Sequence, residues 1–284
     1  STPKPSSAAS DVYKRQVYGE KQIETGNMAT VIGIFQNQYN IINMNILLIG
    51  GGGREHSIAE ALSKSSKINE LHCIPGNAGI EKIASCHNYD ISNQQEILNF
   101  CENNNIDIVF IGPEIPLVEG LADYLNRNSF FTFGPNQKAA KLEGSKSFTK
   151  DMCKKYNIPT ATYETFSNAK DALVYIDNHS IPLVIKVDGL AAGKGVIIAE
   201  TRDHAINSVN EIFSGKFGNA GEQIVIEEFL DGEEASYFII SDGESFIPLT
   251  SAQDHKRIGD GDIGLNTGGM GAVSYTHLTL PTKA

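Results

Sequence analysis

The sequence predicts an α/β protein, with an open parallel sheet in its N-terminal part followed by an α+β part. Three observations carry that expectation. Between residues 44 and 133, short apolar runs alternate with helical patterns, and the runs end in Gly- or Pro-rich loops. From Leu142 the character of the chain changes. Residues 183–198 then read as strand, glycine-rich turn, strand, with a lysine inside the first strand.

Taken in order, residues 45–49 form an apolar strand that ends in four glycines, Gly50 to Gly53, before Arg54-Glu55-His56. A helix follows with Ile58, Ala61 and Leu62 on one face. A second strand, 71–74, ends in Pro75-Gly76-Asn77-Ala78-Gly79. A helix over 93–103 leads to a strand over 106–111, which ends in Gly112-Pro113-Glu114. Another helix, 117–126, leads to a strand at 131–133. In such sheets ligands sit beyond the carboxyl ends of the strands, where all three loops lie.

Gly144-Ser145-Lys146-Ser147 opens a helix that runs to Tyr156 and is stopped by Asn157-Ile158-Pro159. A strand over 160–166 and a helix over 168–178 precede the lysine hairpin. A helix over 202–213, a strand over 223–228 and a hairpin about Ser241-Asp242-Gly243 follow. The stretch 253–271 is too rich in glycine and charge to be core. It is expected to be a lid-side loop meeting a polar, anionic substrate; the alternative is a disordered surface loop.

The chain has 284 residues, enough for two ordinary domains, and a net charge of −11. That acidic balance excludes a general binder of nucleic acid or anionic membrane. No apolar run reaches transmembrane length. Four cysteines and seven histidines show no metal-ligand spacing, which fits thiols in a reducing cytoplasm. Residues 1–16 and 273–284 resemble translated adapter sequence, and 17–43 is polar and patternless. The expected division is a non-native or disordered leader at 1–43, an α/β substrate domain at 44–143, a second domain at 144–272 and a non-native tail at 273–284.

The chemistry concentrates in the lysine hairpin. A lysine in a buried apolar strand is costly unless an anion meets it. Lys186 sits mid-strand, and Lys194 lies between Gly193 and Gly195 on a turn opened by Gly189. Two cations beside free backbone N–H groups make a phosphate cradle. The spacing is one residue short of a Walker loop, and a strand follows rather than a helix. The phosphates are therefore expected under a β-hairpin. The alternative is a glycine-rich hairpin with an exposed lysine. The tetraglycine suggests a dinucleotide fingerprint, but the third glycine falls on Glu55 or His56 and the second strand lacks a terminal acid. Two readings remain for this loop: a small phosphate at the following helix N-terminus, or a tight turn with no ligand.

The order of motifs is specific. Gly-Gly-Arg-Glu-His (52–56), Pro-Gly-Asn-Ala-Gly (75–79), Gly-Pro-Glu-x-Pro-Leu (112–117), Leu-Glu-Gly-Ser-Lys (142–146) and Lys-x-Asp-Gly-Leu-Ala-Ala-Gly-Lys-Gly-Val (186–196) come first. Glu-Glu-Phe-Leu-Asp-Gly-Glu-Glu-Ala-Ser (227–236), Gln-Asp-His-Lys-Arg (253–257) and Asn-Thr-Gly-Gly-Met-Gly-Ala (266–272) follow. Together they closely resemble the phosphoribosylamine–glycine ligase family, the glycinamide ribonucleotide synthetases, across 44–272. The resemblance implies a Rossmann-like pre-ATP-grasp domain followed by a truncated α+β ATP-grasp domain. It implies that glycine's carboxylate takes the γ-phosphoryl of ATP, and that the amine of 5-phosphoribosylamine attacks the resulting glycyl phosphate.

By the same resemblance, Lys146 and Lys186 are the ATP-contacting lysines, and Gly189, Gly193, Lys194 and Gly195 belong to the phosphate-covering loop. Glu227, Glu228, Phe229 and Leu230 form the adenine-binding linker, read mainly through backbone groups, and Glu234 takes the ribose hydroxyls. Gly52, Gly53, Arg54, Asn77, Gly112, Pro113 and Glu114 face phosphoribosylamine. Asn266, Thr267, Gly268 and Gly269 complete the substrate set, and Lys256 and Arg257 are the candidates for phosphoryl transfer. The family uses Mg2+ or Mn2+, whose ligands are expected beyond this chain. The family continues past the present end, and Ile263-Gly264-Leu265-Asn266-Thr267 departs from its usual Thr-Gly-Pro-Asn-Thr. A monomeric cytoplasmic chain without ligase activity of its own is the expectation. The alternatives are another ATP-grasp carboxylate–amine ligase, a non-catalytic nucleotide-binding fragment and, more distantly, an NAD-dependent oxidoreductase.

Overall fold

The structure is a computed structural model. It describes residues 43–191, 194–232, 234–241, 245–249, 251–254, 257–259, 263–266 and 272–274. The chain divides into two compact units with the change between Ala140 and Lys141.

The first unit is a five-stranded sheet built from β1 (Met44–Gly50), β2 (Ile68–Pro75), β3 (Ser85–Cys86), β4 (Ile108–Ile111) and β5 (Phe131–Phe133), in the order β3-β2-β1-β4-β5. All four pairings are parallel. Parallel strands need crossovers, and these are α1 (Gly53–Ser63), α2 (Gln94–Asn103), and the pair α3 (Glu114–Val118) and α4 (Leu121–Arg127). With strands on both sides covered, β1 and β4 are almost wholly apolar and buried. Strand order reverses at β1, so the topological switch point, where such sheets take ligands, lies between the carboxyl ends of β1 and β4.

Three expectations are corrected here, and one strand, β3, is added to those expected. The buried stripe of α1 is Glu55, Ala59 and Leu62, so Ile58 and Ala61 lie at its margin. The helix expected over 117–126 is two helices, parted at Gly120 with φ +89, a value glycine adopts without strain. Strand β3 has only two residues, too few for a periodic signal. The strand expected over 106–111 begins at Ile108.

In the second unit, α5 (Gln137–Gly144) spans the change of unit and was not foreseen. Then come α6 (Lys146–Lys155), β6 (Tyr163–Phe166), α7 (Ala169–Asn178), β7 (Leu183–Val187), β8 (Val196–Ala199), α8 (Arg202–Glu211) and β9 (Ile224–Glu228). The four strands form an antiparallel sheet in the order β6-β9-β7-β8. Side-chain oxygens of Ser145, Asn168 and Thr201 cap α6, α7 and α8 by accepting from backbone N–H groups three residues on. Helices α7 and α8 pack on one sheet face around Ile176, Ile185, Val209 and Ile226. Short two-stranded pairs follow: β10 (Ile239–Ser241) with β11 (Phe246–Pro248), and the antiparallel pairs β12 (Ala252–Asp254) with β15 (Ala272–Ser274) and β13 (Arg257–Gly259) with β14 (Ile263–Asn266). The stretch read as a loop over 253–271 therefore contains strands.

Candidate functional site

The centre of the second unit is a buried cluster of charge. β7 and β8 pair as the expected hairpin, with Lys186 opposite Val196, and β9 lies on the other side of β7. Lys186 is 4% exposed, and its Nζ donates to Glu227 Oε2 at 3.0 Å. The same oxygen receives Lys150 Nζ from α6 at 3.3 Å. An anion does meet the mid-strand lysine, then, but it is supplied by the chain itself. Two ammonium groups share one carboxylate, so one positive charge is left over in a desolvated site. Burial draws the Lys186 ammonium down to about 8; Glu227 opposes the shift, while Lys150 and Lys146 add to it.

Lys146 opens α6 and reaches back to the hairpin, where its Nζ donates to the Gly189 carbonyl at 3.2 Å and that of Asp188 at 3.5 Å. Burial holds its ammonium below the ordinary lysine range, against the pull of Asp188. Asp188 fixes the helix start to the strand end. Its Oδ1 accepts from Ser147 N at 2.6 Å and its Oδ2 from Ser145 Oγ at 3.0 Å. Ser147 Oγ in turn donates to Gln223 Oε1 at 3.2 Å. The turn glycines have steric reasons within the chain: a Cβ on Gly189 would lie 2.9 Å from Ala220 Cα, and one on Gly195 would lie 2.4 Å from Val187 Cγ2. Lys194 is exposed on that turn.

At the end of β9, Glu228 accepts from Thr162 N at 2.8 Å and Thr162 Oγ1 at 3.0 Å, which holds its carboxyl below the usual range. Phe229 and Leu230 follow, half-buried, and Glu234 is 5% exposed. Gly193, Lys256, Thr267, Gly268 and Gly269 lie outside the described residues. Arg257 and Asn266 are described only as paired backbone in β13 and β14.

In the first unit, the three sequence-predicted loops meet at the carboxyl ends of β1, β2 and β4. Arg54 at the start of α1 pairs with Glu114 at the start of α3, 2.7 Å apart. Asn77 donates from Nδ2 to the Gly51 carbonyl at 2.9 Å, and its Oδ1 accepts from Gly79 N and Ile80 N. Gly112 N–H donates to the Ile49 carbonyl, and Pro113 is the N-cap of α3. Glu55, the residue that spoiled the dinucleotide fingerprint, is 4% exposed and folds back to accept from Gly52 N at 2.7 Å. Its carboxylate occupies space that side chains on Gly50, Gly52 and Gly112 would claim. An internal anion thus sits on the tight turn that a dinucleotide pyrophosphate would need. Gly53 is exposed, and a Cβ there would meet nothing within 4 Å.

Sequence reasoning missed Lys150, Asp188 and Glu55. It also read Glu227 through its backbone, whereas its side chain is the counter-ion of the cluster. The signal for Glu227 was present: a carboxylate closing the apolar run Ile224, Val225, Ile226 is as anomalous as Lys186 in its own strand. Lys150 lies on a helix with six other charged or polar positions and left no comparable mark.

Two family models match. Residues 44–143 match the N domain of phosphoribosylglycinamide synthetase, and residues 144–283 match the ATP-grasp (A) domain of the same family. A phosphoribosylamine–glycine ligase of Rhizobium meliloti is 52% identical over 231 residues, covering 81% of this chain and 55% of the relative. The chloroplastic phosphoribosylamine–glycine ligase of Arabidopsis thaliana is 54% identical over 225 residues, 78% of this chain and 42% of that protein. The chain spans about half the length of the curated relatives it matches. Among solved structures, the phosphoribosylamine–glycine ligase of Thermotoga maritima superposes with a TM-score of 0.68 at 35% identity, over 81% of this chain and 55% of that one. The biotin carboxylase domain of a Hydrogenobacter thermophilus 2-oxoglutarate carboxylase has a TM-score of 0.60 at 16% identity, over 76% of this chain and 51% of that one, and shares the fold.

Proposed function

Because the chain belongs to the phosphoribosylglycinamide synthetase family, in both its N domain and its ATP-grasp domain, we propose that it carries the nucleotide-binding and ribosylamine-binding parts of a phosphoribosylamine–glycine ligase. The whole enzyme joins glycine to 5-phosphoribosylamine with ATP, by way of glycyl phosphate, and releases ADP and phosphate. The observation that supports this best is the buried surplus of positive charge around Lys186 beside a glycine-rich hairpin.

Lys186 and Lys146 bind and orient the polyphosphate, and Lys194 on the exposed turn adds a third positive charge. Charge fixed in a dry site stabilises the transferring phosphoryl group far more than charge in water. The β7–β8 turn covers the phosphates and keeps water from the acyl phosphate. Phe229 and Leu230 pack on the base, backbone groups of 227–230 read its edge, and Glu234 accepts from the ribose hydroxyls. In the first unit, Arg54 and the N–H groups at the start of α1 hold the phosphate of phosphoribosylamine, while Asn77 and Glu114 fix the loops around it. Among the described residues no group of three His, Cys, Asp or Glu is arranged to hold a metal. Mg2+ or Mn2+ would lessen the triphosphate charge when bound. We further infer a monomer that acts on small molecules in the cytoplasm. No helix among the described residues is long and apolar enough to cross a membrane.

The test is a titration of ATP into the chain and into Lys186→Ala. In a complete phosphoribosylamine–glycine ligase that carries these residues, the same substitution is expected to lower ligation by about 100-fold, the loss typical of one preorganised charge-stabilising group. Undiminished ligation in that variant would refute the assignment.

A further inference from the structure

Lys150 and Lys186 converge on the same oxygen, Glu227 Oε2, yet their surroundings differ. Lys150 is 2% exposed; its Nζ donates to Thr160 Oγ1 at 2.6 Å and to the Ala161 carbonyl at 3.3 Å, and it pairs with Glu227 Oε2 as an ion pair at 3.3 Å. An ammonium group has three protons to donate, and two of those on Lys150 are taken by uncharged oxygens of the chain. Among the described residues, Lys186 has Glu227 Oε2 as its only hydrogen-bond acceptor. Lys186 thus has two donors without an acceptor among the described residues, where Lys150 has one, and the surplus charge of the cluster lies beside them. The Tyr163 ring lies 5.4 Å from Lys150 Nζ and further closes that side of the cluster.

We infer that Lys150 is a positioning residue that draws on the charge of Glu227 from behind, so that Lys186 keeps charge and donors free for an anionic ligand. Without Lys150, Glu227 and Lys186 would form a closed neutral pair with little to offer a phosphate. The role of Lys186 toward a polyphosphate rests on the function proposed above; the link between Lys150 and Lys186 does not. The charged groups that bear on Lys186 are Glu227 from β9 and Lys150 and Lys146 from α6. Asp188 and Glu143 act on Lys146 in turn.

The experiment follows the Lys186 Cε resonance through a pH titration of the full 284-residue chain without nucleotide, for wild type and Lys150→Met. ADP affinity at pH 7 is measured beside it. The Lys186 midpoint is expected to rise in Lys150→Met, with ADP bound about tenfold more weakly, and Lys150→Arg is expected to restore both. Should Lys150→Met not fold, Lys150→Gln keeps a donor for Thr160 and carries the same comparison. An unmoved Lys186 midpoint overturns the inference, even where ADP affinity falls, because that fall would be structural. If the midpoint rises and Lys186→Met leaves ADP affinity intact, the linkage stands and the nucleotide assignment of Lys186 fails.

Discussion

At the scale of single residues, the second unit is organised by a charge balance that does not close. Glu227 answers two lysines, and removing it would leave both buried without an anion. Breaking a buried pair in this way costs about 3–5 kcal/mol. Glu227→Ala is therefore expected to lower stability by that amount in urea unfolding, well beyond the effect of Glu114→Ala. The Arg54–Glu114 pair is largely solvated, with 64% of the Arg54 side chain exposed, and such pairs contribute about 0–1 kcal/mol.

The sign of the pH dependence follows from Lys186. Its folded-state ammonium is drawn down to about 8, below the ordinary lysine value of 10.5. The charged form is disfavoured by folding, so this group lowers stability below pH 8, and the penalty is relieved as pH rises from 8 toward 10.5. Phosphate binding runs the other way. Affinity for ADP is expected to fall as pH passes through 8, because the neutral amine attracts an anion less. A flat affinity between pH 7 and 9 would show that Lys186 does not meet the phosphates.

Lys186 was legible in the sequence because a charge inside a β-branched apolar run breaks the pattern. Its internal counter-ion was not, because pairing between β7 and β9 brings together residues 41 positions apart. Glu55 was legible only as a failed glycine; that its carboxylate fills the loop is a matter of side-chain packing.

At the scale of elements, the loops at the strand ends are held by close backbone approach. A Cβ on Gly51 would lie 2.4 Å from the Gly76 carbonyl oxygen, and backbone cannot swing aside as a side chain can. Gly51→Ala is expected to push the β1 and β2 loops apart, costing about 1–3 kcal/mol by overpacking. Gly53→Ala, with open space at its Cβ, is expected to leave the melting temperature nearly unchanged. Equal melting temperatures for the two variants would contradict the packing described. Gly195→Val is expected to displace the β7–β8 turn, because its Cβ would crowd Val187 and Ala191, and to weaken ADP binding.

Long elements with strong caps or periodicity were readable: β1, α2, α7, β7 and β8 fall within a few residues of their expected places. Elements fixed by their neighbours were not. β3 exists because two residues find the edge of β2, and the short strands within 252–274 exist by pairing, which composition rich in glycine and charge conceals.

At the scale of the whole molecule, each unit has its own sheet and its own apolar core. The first unit closes five parallel strands with helices, and its core includes Leu47, Ile97, Val109, Leu121 and Leu125. Residues 44–140 expressed alone are expected to unfold in one cooperative transition in denaturant. A broad, non-cooperative loss of structure would show that this unit depends on the rest of the chain.

The family was legible from eight motifs in order. The change of unit was legible, to within a few residues, from the place where strand–helix alternation gives way. On the function proposed above, this chain differs most sharply from a dinucleotide-binding protein in where it would take its nucleotide: at the lysine cluster of the second unit, and not on the glycines of the first. The most direct test titrates ATP and NAD separately into the wild-type chain and into Lys186→Met, with binding heat as the readout. Saturable ATP binding that is lost in Lys186→Met, with no comparable NAD binding, is the expected result. NAD binding tighter than ATP binding, unchanged by Lys186→Met, would contradict it.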